Sequence, residues 1–162
     1  MTTSLRRLLA DMPEDKGELA ARLEAWMRGR SFPDVEGKSA TFVWRGNADE
    51  VRLRHFIFGL ETAQPLARIE GTDVWHLEVE IPPRSRIEYK FEVHRKGRSE
   101  WIRDPLNPHL ARDPFGANSV LQGEGYEIPE WTRVDPRARQ GTLEPFKLYS
   151  EAFGGERGGH LY

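Results

Sequence analysis

In three runs between residues 51 and 95, apolar side chains recur at every second position, and this period decides what the middle of the chain can become. Val51, Leu53, His55 and Ile57 share one face, with Arg52, Arg54, Phe56 and Phe58 on the other. Trp75, Leu77, Val79 and Ile81 alternate with His76, Glu78 and Glu80. Ile87, Tyr89, Phe91 and Val93 alternate with Glu88, Lys90, Glu92 and His94. A period of two is strand spacing with one face buried. Turn chemistry separates the runs at Asn47-Ala48-Asp49, Gly71-Thr72-Asp73 and Lys96-Gly97. Residues 39–44, 100–102 and 118–121 supply further short strands, whereas 59–65 and the two Asp-Pro steps at 104–105 and 113–114 read as loops. Many short strands at close spacing predict an antiparallel β-sandwich.

The flanks differ. Residues 3–29 read as helical. Leu5, Leu8 and Leu9 share a helical face up to Pro13. Asp15 is placed to cap a second helix whose stripe is Leu19, Leu23, Trp26 and Met27. Residues 123–162 are rich in Gly, Pro and charge, with strand character only at 142–150, and read as an extended linker or tail. The organisation expected is a helical segment at 1–36, a sandwich at 37–122 and a tail at 123–162. One core of ordinary size suits 162 residues.

Several function classes fall away on composition. The formal net charge of −2 provides no field for nucleic acid or an acidic membrane. No cysteine is present, so disulfides, thiol catalysis and thiolate metal sites are excluded. The first residues, MTTSLRRLLADMPED, lack the apolar stretch of a secretory signal, and no run approaches the ~20 apolar residues of a membrane span. A cytoplasmic setting fits, although secreted proteins can also lack cysteine.

Motifs for catalysis are missing as well. None of the seven serines stands in G-x-S-x-G, the tight turn that exposes a nucleophile. Gly37-Lys38-Ser39 has the end of a phosphate loop, but position 32, where the first glycine belongs, is Phe. No two of His55, His76, His94, His109 and His160 have the i, i+4 spacing of a helical zinc pair, so neither a metal nor another cofactor is expected. His76 and His94 would form a surface pair if their strands were neighbours. What remains is a binding face. Lys90 points outward near Trp101, and Asn118 opens the last strand. An indole stacks on a flat ligand, an ammonium donates to it, and an amide makes a two-point contact. The competing reading packs Trp101 under the Asp-Pro loop and leaves Lys90 solvated. Trp26 and Trp75 belong to the core faces, Trp44 ends a strand, and Trp131 anchors the tail.

Taken in order, Ala40-Thr41-Phe42-Val43-Trp44, the run 51–59, Asp73-Val74-Trp75, Ile87-Glu88-Tyr89-Lys90-Phe91, Trp101-Ile102-Arg103-Asp104-Pro105-Leu106-Asn107-Pro108 and Gly116-Ala117-Asn118-Ser119-Val120-Leu121 resemble an early-set, immunoglobulin-like domain. Two groups share it. One is the domain that precedes the α/β-hydrolase domain of enterochelin-esterase-like proteins. The other is carbohydrate-binding module family 48, with the glycogen-binding domain of the AMP-activated kinase beta subunit. The resemblance covers roughly residues 38–122. From the second group it implies ligand contacts at Lys90, Trp101 and Asn118. The first tryptophan of that group has no counterpart, since 58–63 reads Phe58-Gly59-Leu60-Glu61-Thr62-Ala63. From the first group it implies a non-catalytic accessory domain of a serine esterase. Residues 141–162 resemble the junction at which such enzymes begin their hydrolase domain, which this chain would pack against and whose pocket it would shape. The implied partners are that hydrolase domain and a carbohydrate or siderophore-type ligand, with room for a homo-oligomer. The alternative function is an α-glucan-binding module.

Overall fold

A computed structural model describes residues 4–57 and 59–162; Phe58 and residues 1–3 lie outside the described residues. It divides into two compact units, Met1–Glu127 and Ile128–Tyr162.

In the first unit, α1 spans Leu5–Ala10 and α2 spans Lys16–Met27. Both are capped as their sequences dictate. The side chain of Ser4 accepts from the Arg7 N–H, and that of Asp15 accepts from the Glu18 N–H at 2.8 Å. Ten strands follow: β1 Asp34–Glu36, β2 Ser39–Arg45, β3 Glu50–His55, β4 Ala63–Pro65, β5 Ala67–Arg68, β6 Val74–Glu80, β7 Arg86–Arg95, β8 Arg98–Ile102, β9 Leu110–Asp113 and β10 Gly116–Gln122. They form two antiparallel sheets. One has the order β1-β2-β6-β5. The other runs β4-β3-β7-β10-β9, with β8 also paired to β7. The sheets face each other, as the alternation predicts, and the chain is a mainly-β, immunoglobulin-like sandwich with two N-terminal helices.

Between the sheets lie Ala40, Phe42 and Trp44 of β2, Val51 and Leu53 of β3, Val79 of β6, and Tyr89, Phe91 and Val93 of β7. Phe42 meets Tyr89 edge-on at 5.0 Å between ring centroids, so the two sheets interlock through aromatic contact. The outer face of the first sheet is covered. Val43 and Val74 pack with Leu5, Leu19, Leu23, Trp26 and Phe32 in a second apolar cluster, which is where the helical stripe goes. Helices therefore occupy one side of the sandwich. The outward positions of the second sheet carry Arg54, Glu88, Lys90, Trp101 and Asn118.

The Lys96-Gly97 turn joins β7 to β8 with positive φ at both residues (49° and 75°), the backbone a two-residue hairpin requires. Lysine is unusual there, and the Lys96 N–H is tied to Asp49 at 2.6 Å. This turn folds Trp101 back beside Glu92.

Several expectations need correction. The segment read as a loop at 59–65 contains β4, and the Asp-Pro region contains β9. His76 and His94 are on different sheets and make no pair, because β6 belongs to the first sheet and β7 to the second. The tail is not simply extended. In the second unit β11, Glu144–Ser150, pairs along its whole length with β12, Gly155–Leu161. Glycine in β12 serves this pairing: Phe146 lies over Gly159, where an added Cβ would stand 2.7 Å from the ring. Trp131, expected to anchor the tail, sits in a 3-10 turn at Glu130–Thr132 and is 85% exposed.

Candidate ligand cleft

The strand register brings the three candidate residues together. Lys90 projects from the middle of β7, opposite Arg54 of β3. Trp101 pairs with Glu92 on the same outer face. Asn118 lies on β10, on the other side of β7. Lys90, Trp101 and Asn118 line one cleft of about 330 Å3, together with Arg54, Phe56 and Glu88. Trp101 is 53% exposed, so it is not packed away beneath the Asp-Pro loop.

Trp101 is held in place from below. The Arg54 guanidinium stands 5.0 Å from its ring centre, a cation–π contact. Arg54 is itself fixed by Glu92, whose Oε2 accepts from the Arg54 Nε at 2.6 Å. Glu92 is buried although its parity faces outward, because Arg54 and Trp101 cover it. Such a pair adds little net stability, but it fixes the orientation of what it touches.

Asn118 is partly committed. Its Nδ2 donates to Glu88 at 2.9 Å, and Arg86 donates to the other oxygen at 2.8 Å. These hydrogen bonds, Asn118 first and Arg86 second, hold the Glu88 carboxyl below its ordinary pKa. Lys90 has no hydrogen bond or ion pair among the described residues.

Four cleft residues, Arg54, Phe56, Glu88 and Tyr89, were not singled out from sequence. Phe56 is 86% exposed immediately beyond β3 and forms part of the wall. The buried His55 accepts from the Ile57 N–H through Nδ1 at 3.1 Å, spanning Phe56 and fixing the chain at this bend. Its remaining nitrogen, Nε2, then carries the proton, and burial lowers the pKa of the ring. An aromatic ring thus stands two positions before the segment where a tryptophan was sought. The alternation already placed Arg54 and Phe56 on the face of Lys90.

A second cleft of about 630 Å3 adjoins the first, and Lys90 and Trp101 line both. Its other wall is the Asp104-Pro105-Leu106-Asn107-Pro108 loop, which a buried polar network ties to the sheet. Tyr89 donates to Asp104 at 2.6 Å, and Asp104 takes the Leu106 N–H on its other oxygen. Asn107 donates to the Tyr89 hydroxyl and to the Val120 carbonyl. The Ser119 hydroxyl accepts from the Asp104 N–H. Burial lifts the Asp104 pKa to about 6 and raises that of Tyr89 still further from its ordinary value. The Asp-Pro-x-Asn-Pro segment is therefore a structural clamp whose partners lie far away in sequence. No cluster of three metal-ligating side chains exists among the described residues.

With this geometry in view, comparison with known proteins is informative. The family profile "Enterochelin esterase, N-terminal" matches residues 39–131. The chain belongs to that family. Solved structures agree on the fold. The ferric enterobactin esterase from Salmonella typhimurium superposes with a TM-score of 0.59 at 23% identity, over 83% of this chain and 45% of that one. The enterobactin esterase from Shigella flexneri, solved in the presence of 2,3-di-hydroxy-N-benzoyl-glycine, gives 0.58 at 22% identity, over 83% and 44%. The same Shigella enzyme solved in the presence of enterobactin gives 0.57 at 22% identity, over 83% and 43%. This enterochelin esterase N-terminal domain thus spans less than half the length of those esterases. No curated protein matches the chain.

Proposed function

We propose that this chain is a non-catalytic accessory domain of an enterochelin-type esterase, acting in the cytoplasm. It packs against an α/β-hydrolase domain not present in this chain and shapes the mouth of its substrate pocket. The observation that carries this reading is the family match over the same strands that build the Lys90–Trp101–Asn118 cleft. The cleft offers stacking surface and a cation, which bind and orient. Its lining includes no serine, threonine or cysteine, and no G-x-S-x-G occurs in the 162 residues. Binding energy gained away from the scissile bond lowers KM or positions the substrate. No described helix is long and apolar enough to cross a membrane.

Joined to an α/β-hydrolase domain that cleaves enterobactin, the chain should lower KM for that substrate about tenfold, the worth of about 1.4 kcal/mol of added contact. Hydrolysis of p-nitrophenyl acetate, too small to reach the cleft, should stay unchanged. Turnover by the chain alone, or an unchanged KM for enterobactin, contradicts the reading.

A second reading, an α-glucan-binding module, is favoured by one observation: the lysine, tryptophan and asparagine that the resemblance implied do converge on one cleft. Retardation on glycogen gels, abolished by Trp101→Ala, is its signature.

A further inference from the structure

On the side of the sandwich away from Lys90, the two helices enclose a cleft of their own. It lies between α1 and the last turns of α2 and measures about 610 Å3. Spacing puts Arg22, Ala25 and Trp26 on one face of α2, at i, i+3 and i+4. Arg7 and Leu8 come from α1. Beyond α2, Gly29 turns the chain with a φ of 73°, and Arg28 before it and Arg30 after it both line the cleft. Among the described residues the lining carries four guanidiniums against one carboxylate, that of Asp11, in a chain whose formal net charge is −2. Two of the four are already engaged. Arg22 donates to the Asp11 carbonyl at 3.1 Å and to Glu18 at 2.7 Å, which ties α2 to the end of α1. Arg30 donates to the Trp26 carbonyl at the end of α2 and to Asp34, with its guanidinium 4.7 Å from the Trp26 ring centre. Arg7 and Arg28 have no side-chain hydrogen bond or ion pair among the described residues.

Like charges around one opening repel one another, and an anion seated among them relieves this. Arg7 and Arg28 reach the opening from different elements. One guanidinium fork engages both oxygens of a planar carboxylate. A phosphate dianion instead holds three oxygens in a tetrahedral arrangement and accepts from guanidiniums arriving on separate sides. Leu8, Ala25 and Trp26 add apolar surface to the same cleft, which bare inorganic phosphate cannot use. We propose that this cleft binds a small phosphate monoester whose ester group is apolar or aromatic, with the phosphate held by Arg7 and Arg28 and the ester group lying against Leu8 and Ala25. This site is independent of the Lys90 face and of the accessory function read from it.

The test is calorimetric titration of the full chain with three probes: phenyl phosphate, inorganic phosphate and phthalate. Phenyl phosphate should bind at least about fivefold more tightly than inorganic phosphate, because its ring leaves water. It should exceed phthalate, an aromatic dianion built of carboxylates, by about the same factor. Its affinity should fall as salt rises. Arg7→Gln and Arg28→Gln, both at exposed positions and with unchanged near-UV circular dichroism, should each weaken phenyl phosphate about tenfold. Ala25→Glu, which sets a carboxylate on the exposed wall, should abolish its binding. Arg112→Gln, on β9 and outside the cleft, should leave it unchanged. No binding of phenyl phosphate at millimolar concentration, or binding that survives both cleft-arginine changes, overturns the site. Equal affinity for phthalate overturns the phosphate class, and equal affinity for inorganic phosphate overturns the apolar ester group.

Discussion

Phe42→Ala should destabilise the sandwich by about 3–5 kcal/mol, the usual cost of emptying a fully buried phenylalanine site. Phe42 has no exposed surface, and its ring touches Tyr89 from the opposite sheet. Neighbours cannot collapse into the gap easily, because Trp44, Leu53 and Phe91 are themselves fixed in strands on both sides. The loss should lower the thermal midpoint by on the order of 10–20 °C. Phe56→Ala, at a ring standing in solvent, should change stability by no more than about 0.5 kcal/mol. Chemical denaturation of both variants checks this. A Phe42→Ala cost below about 1.5 kcal/mol would mean that the two sheets do not meet there.

Asn107→Ala should cost about 3 kcal/mol although it removes only a small polar group. The side chain makes three hydrogen bonds: to the Tyr89 hydroxyl at 3.0 Å, to the Val120 carbonyl at 2.8 Å, and from the His109 N–H at 2.8 Å. Alanine replaces none of them. Each group left buried without a partner costs about 1–3 kcal/mol, partly offset where water enters. The same change loosens the loop that walls the second cleft, so amide exchange at His109 should quicken well beyond the global effect. A cost within about 0.5 kcal/mol, with His109 exchange unaltered, would show that the loop is held by other contacts.

Legibility in the sequence followed the range of the interactions. β7 was readable because its alternation extends over ten residues, and a misplaced face there would bury charge. Lys90, Trp101 and Asn118 were singled out by resemblance, and the register brings them to one cleft. Arg54 and Phe56 had the right parity, but parity alone does not say which outward residues meet across a sheet. The clamp of Tyr89, Asp104, Asn107 and Ser119 joins residues 15–18 positions apart through hydrogen bonds, and no periodicity encodes that. The short strands β1, β4, β5 and β9 have two to four residues each, too few to display a period. β12, with Gly155, Gly158 and Gly159, has poor strand propensity, and its pairing with β11 overrides that.

On the function proposed above, the sheet carrying β3, β7, β8 and β10 offers the ligand surface, while the helices close the opposite side of the sandwich. Backbone-amide NMR of the labelled chain, titrated with 2,3-dihydroxybenzoylserine, tests it most directly. Shifts should group at residues 54–57, 88–92, 99–110 and 116–118, with those of α1, α2 and β2 unmoved. Shifts centred on the helices, or no shifts at millimolar ligand, would contradict it.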